Sequence, residues 1–171
     1  LLHRASDGHQ VMVDGREVAP AAVDPTVYLD ANGKLDRDKS INGALAAGIP
    51  GEPAALAHIA EKYGRLPLKV SLAPAIRLAR EGYPLESRMQ GMLAMRKDVM
   101  LRYPASRAVF FPNGEMRKLG SMIKQPDLAR TLERLADSGF DGFYRGKTAQ
   151  ALVAGVRKHG GNWTLEDLAN Y

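Results

Sequence analysis

The sequence contains no cysteine among its 171 residues. Disulfide bridges, thiolate zinc sites and cysteine nucleophiles are therefore excluded. Because an absence of cysteine suits reducing and oxidising compartments alike, it leaves the redox compartment open. No run of about 18 apolar residues occurs, so the sequence predicts no membrane-spanning helix and no membrane partner. Hydrophobic residues make up 45% and charged residues 25%, which is typical of a globular domain.

Aromatic residues are scarce, at 6%, and the basic residues do not gather into a stripe. The formal net charge is +5, but lysines and arginines are interspersed with acids, as in residues 36–39. Proteins that bind nucleic acids concentrate basic residues on one face and add aromatic residues that stack on bases. We therefore expect a mildly basic, solvated surface and no nucleic-acid partner.

Strand signals are confined mainly to the start of the chain. Residues 1–14 predict two short strands joined by the turn Ser6-Asp7-Gly8. Such a pair is not stable alone and needs a larger sheet. Residues 15–53 are rich in proline, glycine, aspartate and asparagine, so we expect a long ordered loop with little regular structure.

Helical periodicity dominates the rest of the chain. Pro74 is expected in the first turn of its helix, where a missing N–H does no harm. A strand is expected at Val109–Phe111, and Thr164 is expected to cap a last short helix with Asp167. The predicted helices cover residues 54–62, 71–81, 85–102, 126–138 and 148–158. Their predicted core-facing residues include Leu85, Met89, Met92, Leu93, Val99, Leu128, Leu132 and Leu135.

Strands at one end and helices at the other, without βαβ alternation, indicate an α+β fold. The two N-terminal strands lack partners for a larger sheet, and neither terminus carries a polar tail. We therefore interpret residues 1–171 as one partial domain. The alternative is that the helices alone close a core and the strands only decorate it.

Arg16 is the most promising candidate for contact with a ligand. It follows the second predicted strand directly, in the segment Asp14-Gly15-Arg16-Glu17. The planar guanidinium matches a carboxylate with two parallel hydrogen bonds, and Gly15 would leave room for a ligand at the backbone. The alternative is a structural ion pair with Glu17 or a solvated loop side chain. Local sequence alone favours that alternative.

The remaining polar residues give weaker signals. Glu52 follows a glycine- and proline-rich turn, where its charge would favour a helix N-terminus or would line a substrate cleft. Residues 30–33 resemble the start of a calcium loop, but the glycine comes two positions too early. The four histidines lack the spacing of a helical metal pair, so we expect no metal. They are His3, His9, His58 and His159.

A catalytic nucleophile is not expected in this chain. None of the serines lies in a Gly-x-Ser-x-Gly elbow, and no amino-terminal threonine, serine or cysteine is present, because the first residue is Leu1. A glycine-rich phosphate loop is missing as well, so we expect no cofactor. From its residues, the chain by itself is predicted to be inactive.

Six segments, in order, resemble the large subunit of γ-glutamyltransferases. One such motif would be a weak signal, but six in order over nearly the whole chain are specific. The segments are DGREVAP (residues 14–20), GIPGE (48–52), YGRLP (63–67), APAIRLAREG (73–82), GFYRG (142–146), and GG with LEDL (160–161 and 165–168).

The resemblance implies an amino-terminal-nucleophile hydrolase fold, an αββα sandwich of which this chain is a mostly helical part. It also implies a precursor that cleaves itself into a large and a small subunit. A threonine at the new amino terminus of the small subunit would attack the γ-glutamyl amide, and the acyl group would pass to water or an acceptor amine. Glutathione is the usual donor. The threonine and the oxyanion-hole glycines are expected beyond Tyr171.

The resemblance changes the interpretation of Arg16, which matches the family's arginine for the α-carboxylate of the γ-glutamyl group. It also implies a periplasmic or secreted location. Two alternatives remain open. One is a sister activity on the same scaffold, either a cephalosporin acylase or a poly-γ-glutamate-processing enzyme. The other is a helical module without catalysis.

Overall fold

The computed structural model describes residues 1–171, which divide into two compact units. Unit 1 comprises Leu1–Val70 and Arg134–Tyr171, and unit 2 comprises Ser71–Glu133. Helices dominate both units, and no helix is long and apolar enough to cross a bilayer. The α+β class with a mostly helical chain is confirmed, whereas the interpretation of residues 1–171 as one partial domain stays a prediction.

Unit 1 begins with the predicted hairpin. Strands β1 (Leu2–Arg4) and β2 (His9–Val11) pair antiparallel. Gly8 adopts a positive φ of 71° in the turn, a conformation that glycine reaches without steric cost. The hairpin prediction is confirmed.

The segment that follows is more regular than the sequence suggested. It contains helix α1 (Arg37–Ile41) and two 3-10 turns at Pro25–Tyr28 and Ala44–Ala46. Helix α1 forms because the side chain of Asp36 accepts hydrogen bonds from the backbone N–H groups of Asp38 and Lys39. The expectation of a loop with little regular structure therefore missed one short helix.

Helices α2, α7, α8 and α9 contribute to unit 1. The sequence did not predict α7, a single helical turn between two positive-φ glycines. Residues Ile49, Tyr144, Val153, Trp163 and Leu168 form most of the buried core of this unit. The bounds are α2 Glu52–Lys62, α7 Phe140–Tyr144, α8 Gly146–Lys158 and α9 Leu165–Ala169.

The cap of α9 is the one predicted at Thr164. The Thr164 hydroxyl accepts the Asp167 N–H at 3.0 Å, and the Asp167 carboxylate accepts the Thr164 N–H at 2.8 Å. This reciprocal pair satisfies two backbone donors at the start of the helix. The predicted cap is confirmed.

Unit 2 has its own small core of Leu85, Leu93, Phe111 and Ile123. Its two short strands pair antiparallel, so strands are not confined to the N-terminus. Helices α3 and α6 contain residues of both units. The bounds are α3 Leu68–Glu81, β3 Tyr83–Pro84, α4 Ser87–Leu101, α5 Pro104–Phe110, β4 Met122–Ile123 and α6 Pro126–Ser138.

Two expectations about local structure in this region were wrong. Val109–Phe111 is not a strand, because Pro104 begins helix α5 and the helix runs to Phe110. Proline suits a first helical position, and that local signal decided the segment over its apolar and aromatic residues. Pro74 lies inside α3, because that helix begins at Leu68.

Two of the residues predicted to face the core are exposed instead. Met92 is 57% exposed and Leu128 is 41% exposed. Their neighbours Leu93 and Ala129 are the buried residues, and successive side chains on a helix point about 100° apart. The assignments of Met92 and Leu128 were therefore wrong, whereas Leu85, Leu93 and Leu135 are buried as predicted.

Candidate functional site

Arg16 lies in an extended segment that connects β2 to an isolated β-bridge. In that bridge the Val18 N–H donates to the Ile49 carbonyl at 3.1 Å, and the Ile49 N–H donates to the Val18 carbonyl at 2.8 Å. Ile49 is fully buried in the core of unit 1. The segment that carries Arg16 is therefore anchored to the core two residues beyond the arginine.

Both backbone polar groups of Arg16 are held by side chains. The Arg16 N–H donates to the Asp14 carboxylate at 2.9 Å, which closes a local turn. The Tyr171 hydroxyl donates to the Arg16 carbonyl at 2.6 Å, across 155 positions of sequence. These two bonds fix the peptide groups on either side of the Arg16 Cα.

Two glycines let this segment lie against the start of α2. A Cβ atom added at Gly15 would stand 2.6 Å from the Cβ of Ala55. One added at Gly51 would stand 2.5 Å from the Arg16 carbonyl oxygen and would overlap the phenol of Tyr171. The expectation that Gly15 leaves room for a ligand was wrong, because Ala55 of α2 lies against that position.

The Arg16 side chain itself is 77% exposed and pairs with its neighbour Glu17. Its Nε and Nη2 atoms donate to one Glu17 oxygen at 3.3 Å and 3.2 Å. A guanidinium has five N–H donors, so three remain unused, including both on Nη1. The structural pairing that the sequence left open is present, and it still leaves one edge of the guanidinium able to bind a carboxylate.

The Glu17 carboxylate is exposed, which limits what the ion pair contributes to stability. Its pKa is lowered, first by a hydrogen bond from its own backbone N–H and then by the hydrogen bond from Arg16. Glu17 therefore stays ionised at neutral pH and partly balances the charge of Arg16. An incoming carboxylate would meet a guanidinium that is oriented but not fully neutralised.

Tyr144 holds the turn that faces Arg16. Its hydroxyl donates to the Pro50 carbonyl at 2.5 Å and accepts the Ala54 N–H at 3.2 Å. Burial raises the pKa of Tyr144 to about 12, so the phenol is neutral at physiological pH. The Tyr171 ring stacks on the Tyr144 ring, with centroids 5.6 Å apart.

Sequence reasoning missed Tyr144 and Tyr171 as supports of the candidate site. Tyr144 lies in the segment 142–146, which is one of the segments that resemble the family, but it was interpreted only as part of the scaffold. Tyr171 carried no signal beyond its aromatic character. Neither residue is near Arg16 in sequence, so only the folded structure brings them together.

The other candidates are dispersed. Glu52 is the first residue of α2 and is exposed, which suits a carboxylate beside a helix N-terminus. The rings of His9 and His58 each lie 6.0 Å from the ring of Tyr63. No three histidine, aspartate or glutamate side chains gather as a metal site would require. Among the hydroxyls, Thr148 is buried and donates to the Gly142 carbonyl at 2.8 Å, a structural role.

Comparison with known proteins identifies the protein family to which this chain belongs. The family model described as Gamma-glutamyltranspeptidase matches residues 1–171. The chain therefore belongs to the γ-glutamyltranspeptidase family, and the predicted resemblance is confirmed.

A curated relative and a solved structure agree with this assignment. The glutathione hydrolase proenzyme of Escherichia coli K12 is 36% identical over 172 residues, which cover all of this chain and 30% of that protein. The crystal structure of Helicobacter pylori γ-glutamyltranspeptidase superposes with a TM-score of 0.93 at 35% identity, covering 99% of this chain and 49% of that chain. The chain thus spans between 26% and 30% of the length of the curated relatives it matches.

An acylase shares the same architecture. The cephalosporin acylase from Bacillus halodurans superposes with a TM-score of 0.78 at 34% identity, covering 92% of this chain and 30% of that chain. The likeness to both kinds of enzyme confirms the predicted fold, of which this chain is the mostly helical part.

Proposed function

We propose that the protein catalyses the hydrolysis or transfer of γ-glutamyl groups from glutathione and related amides. The observation that carries this proposal is the family match over every residue of the chain, with curated relatives named glutathione hydrolase. Several of those names also include the word proenzyme, which supports a precursor that is cleaved into subunits. Besides its γ-glutamyl substrate, this chain would then have the small subunit of the same precursor as its partner.

In this proposal the chemistry is carried by a threonine outside residues 1–171. Its hydroxyl oxygen bonds to the γ-carbonyl carbon, the amide C–N bond breaks, and the released amine takes up the proton that the hydroxyl loses. Water or an acceptor amine then attacks the acyl-enzyme, the ester C–O bond breaks, and the threonine oxygen takes up the proton that the attacking group loses. Each step balances without a cofactor or metal ion.

Arg16 would bind the α-carboxylate at the opposite end of the γ-glutamyl group. The support is geometric: an anchored backbone, an exposed guanidinium, and three N–H donors that Glu17 does not use. Two parallel bonds to a carboxylate fix its orientation as well as its position. Holding one end of a short donor also restricts where its γ-carbonyl lies, so the reacting carbon would be presented to the nucleophile.

The test of the activity uses the longer protein with the parts that its relatives contain. We expect release of p-nitroaniline from γ-glutamyl-p-nitroanilide, faster when an acceptor amine is added if transfer predominates. Residues 1–171 alone should release none. No turnover of this donor or of glutathione by the intact, processed protein would contradict the proposal.

The test of Arg16 uses Arg16→Lys and Arg16→Gln in the same protein. Charge-assisted hydrogen bonds contribute roughly 1.5–3 kcal/mol each, so KM for the γ-glutamyl donor should rise roughly 10- to 100-fold. Arg130→Gln is the matched control, because Arg130 is another exposed arginine paired with a carboxylate, that of Asp127. An unchanged KM in both Arg16 variants would remove Arg16 from the site.

A second candidate activity is that of an acylase, favoured by the structural likeness to the cephalosporin acylase. A glutaryl group has the same distal carboxylate as a γ-glutamyl group but lacks the α-amino group. Arg16 would bind both, so it cannot separate the two substrates. The ratio of turnover with γ-glutamyl- and glutaryl-p-nitroanilide does separate them, and faster turnover of the glutaryl compound would favour the acylase.

We propose a periplasmic or secreted location on the strength of the family resemblance. Fractionation of cells that express the longer protein tests it. Activity confined to the cytoplasmic fraction would contradict it.

A further inference from the structure

We propose that Tyr171 is a positioning residue for substrate binding, which acts by holding the backbone carbonyl of Arg16. This inference rests on the proposed role of Arg16 and adds a residue to it. Tyr171 would not touch the substrate. Its hydroxyl would set the direction in which the Arg16 side chain leaves the main chain.

The hydrogen bond from Tyr171 to Arg16 is short and joins residues that are far apart in sequence. Tyr171 donates to the Arg16 carbonyl at 2.6 Å, across 155 positions. No other hydrogen bond to that carbonyl is present, whereas the Arg16 N–H is held locally by Asp14. The Arg16 N–H is thus held by a neighbouring aspartate, and the Arg16 carbonyl is held only by Tyr171.

The phenol of Tyr171 is held from a second direction. Its ring stacks on the Tyr144 ring at 5.6 Å with an interplanar angle of 19°. Tyr144 is buried and is hydrogen-bonded to Pro50 and Ala54, at the start of α2. The hydroxyl of Tyr171 is therefore part of a rigid aromatic pair and not of a loose surface side chain.

Gly51 makes this arrangement possible. A Cβ atom at that position would overlap the Tyr171 phenol and would crowd the Arg16 carbonyl. The phenol thus fills the space that a side chain at residue 51 would occupy. Gly51, Tyr171 and the Arg16 carbonyl meet at one point, so the geometry of the arginine depends on a glycine that contributes no functional group.

The orientation of the Arg16 peptide affects carboxylate binding because the guanidinium is far from the main chain. The guanidinium lies at the end of a long side chain, and a small rotation of the peptide moves it by much more than it moves the carbonyl. Bidentate recognition of a carboxylate depends on this orientation, because both bonds must be aligned at once. Loss of the Tyr171 hydroxyl would let the peptide rotate and would weaken carboxylate binding while the chemistry elsewhere stays intact.

Tyr171→Phe in the longer, processed protein tests the proposal, because it removes only the hydroxyl and keeps the stacked ring. We expect KM for γ-glutamyl-p-nitroanilide to rise roughly two- to tenfold, the range for loss of one neutral hydrogen bond, with kcat little changed. Tyr28→Phe is the matched control. Tyr28 also donates to a backbone carbonyl in unit 1, that of Leu45 at 3.0 Å, and this variant should leave KM unchanged.

A double-mutant cycle separates positioning from simple stabilisation of the fold. If Tyr171 acts through Arg16, Tyr171→Phe should raise KM no further once Arg16→Gln is present. The same fold-increase in both backgrounds would overturn the proposal, and so would an unchanged KM in Tyr171→Phe alone. If Arg16→Gln itself leaves KM unchanged, the proposed role of Arg16 fails too, so the two failures are distinguishable.

Discussion

The phenol of Tyr144 caps helix α2 from 90 positions away in sequence, because its oxygen accepts the Ala54 N–H at 3.2 Å. The residue before the helix is Gly51, which has no side chain to cap the first turn. The first N–H groups of a helix have no partner within the helix, and an unsatisfied one that is buried is costly. Tyr144 thus replaces a local cap with a tertiary one.

Tyr144→Phe should loosen the start of α2. It leaves the Ala54 N–H and the Pro50 carbonyl without their partner, a loss of about 1–3 kcal/mol of local stability. Amide exchange at Ala54 should therefore accelerate about tenfold or more. Tyr28→Phe is the control and should leave that amide unchanged. Equal exchange rates at Ala54 in Tyr144→Phe and in the unaltered protein would contradict the account.

Alkaline pH should destabilise the fold through the same residue. Burial raises the pKa of Tyr144 to about 12 from 10.0, so between these values the unfolded chain loses a proton that the folded chain keeps. The contribution is complete below pH 10 and is lost as pH rises towards 12. Urea denaturation across this range should show a shallower loss of stability in Tyr144→Phe. An identical dependence of the unfolding free energy on pH in Tyr144→Phe and in the unaltered protein would contradict the raised pKa of Tyr144.

Local signals in the sequence accounted for much of the fold. The turn around Gly8, the glycine after α6 and the cap at Thr164 act within a few residues, so the chain itself displays them. The strand predicted at Val109–Phe111 was wrong because a short apolar run is compatible with either a strand or a buried helix. Pro104 begins a helix that includes most of this run. Periodicity predicted α4 and its buried residue Leu93, but it wrongly assigned the exposed Met92 to the same face.

Only part of the candidate site could be predicted from the sequence. Arg16 could be selected because its residue type, its place after a strand and the family resemblance coincide. Its supports could not, since Tyr171 and the turn at Gly51 reach it only through the folded chain. A hydrogen bond between positions 155 apart leaves no trace in composition or periodicity.

Asp167 joins α9 to the loop after Arg16, and its replacement tests that link. Its carboxylate accepts the Ala21 N–H at 2.9 Å and the Thr164 N–H at 2.8 Å. Burial alone would raise its pKa, but hydrogen bonds from Ala21 and Thr164 lower it overall. Asp167→Asn should lower stability at neutral pH, because the neutral amide is a weaker acceptor.

The pH dependence gives the sign of this effect. A carboxyl whose pKa is lowered on folding contributes stability above its unfolded pKa of about 3.9 and loses it as the pH falls. The difference between Asp167→Asn and the unaltered protein should therefore shrink on acidification, as followed by urea denaturation. A difference that is constant from neutral to acidic pH would show that the charge of Asp167 is not involved.

Gly15→Ala should displace the Arg16 segment from α2. The new Cβ would stand 2.6 Å from the Cβ of Ala55, so the main chain must shift. KM for the γ-glutamyl donor should rise severalfold in the longer protein, with a smaller effect on kcat. Gly155→Ala is the matched control, because no atom lies within 4 Å of its added Cβ in helix α8. Equal KM values for the two variants would contradict the prediction.

The proposed binding of the α-carboxylate of a γ-glutamyl donor by Arg16 is tested most directly with two donors, one that has this carboxylate and its α-carboxamide analogue. The unaltered longer protein should favour the carboxylate in kcat/KM by roughly 10- to 100-fold, as expected for charge-assisted hydrogen bonds. In Arg16→Gln that preference should fall to near unity. A preference that persists undiminished in Arg16→Gln would show that another residue binds the carboxylate.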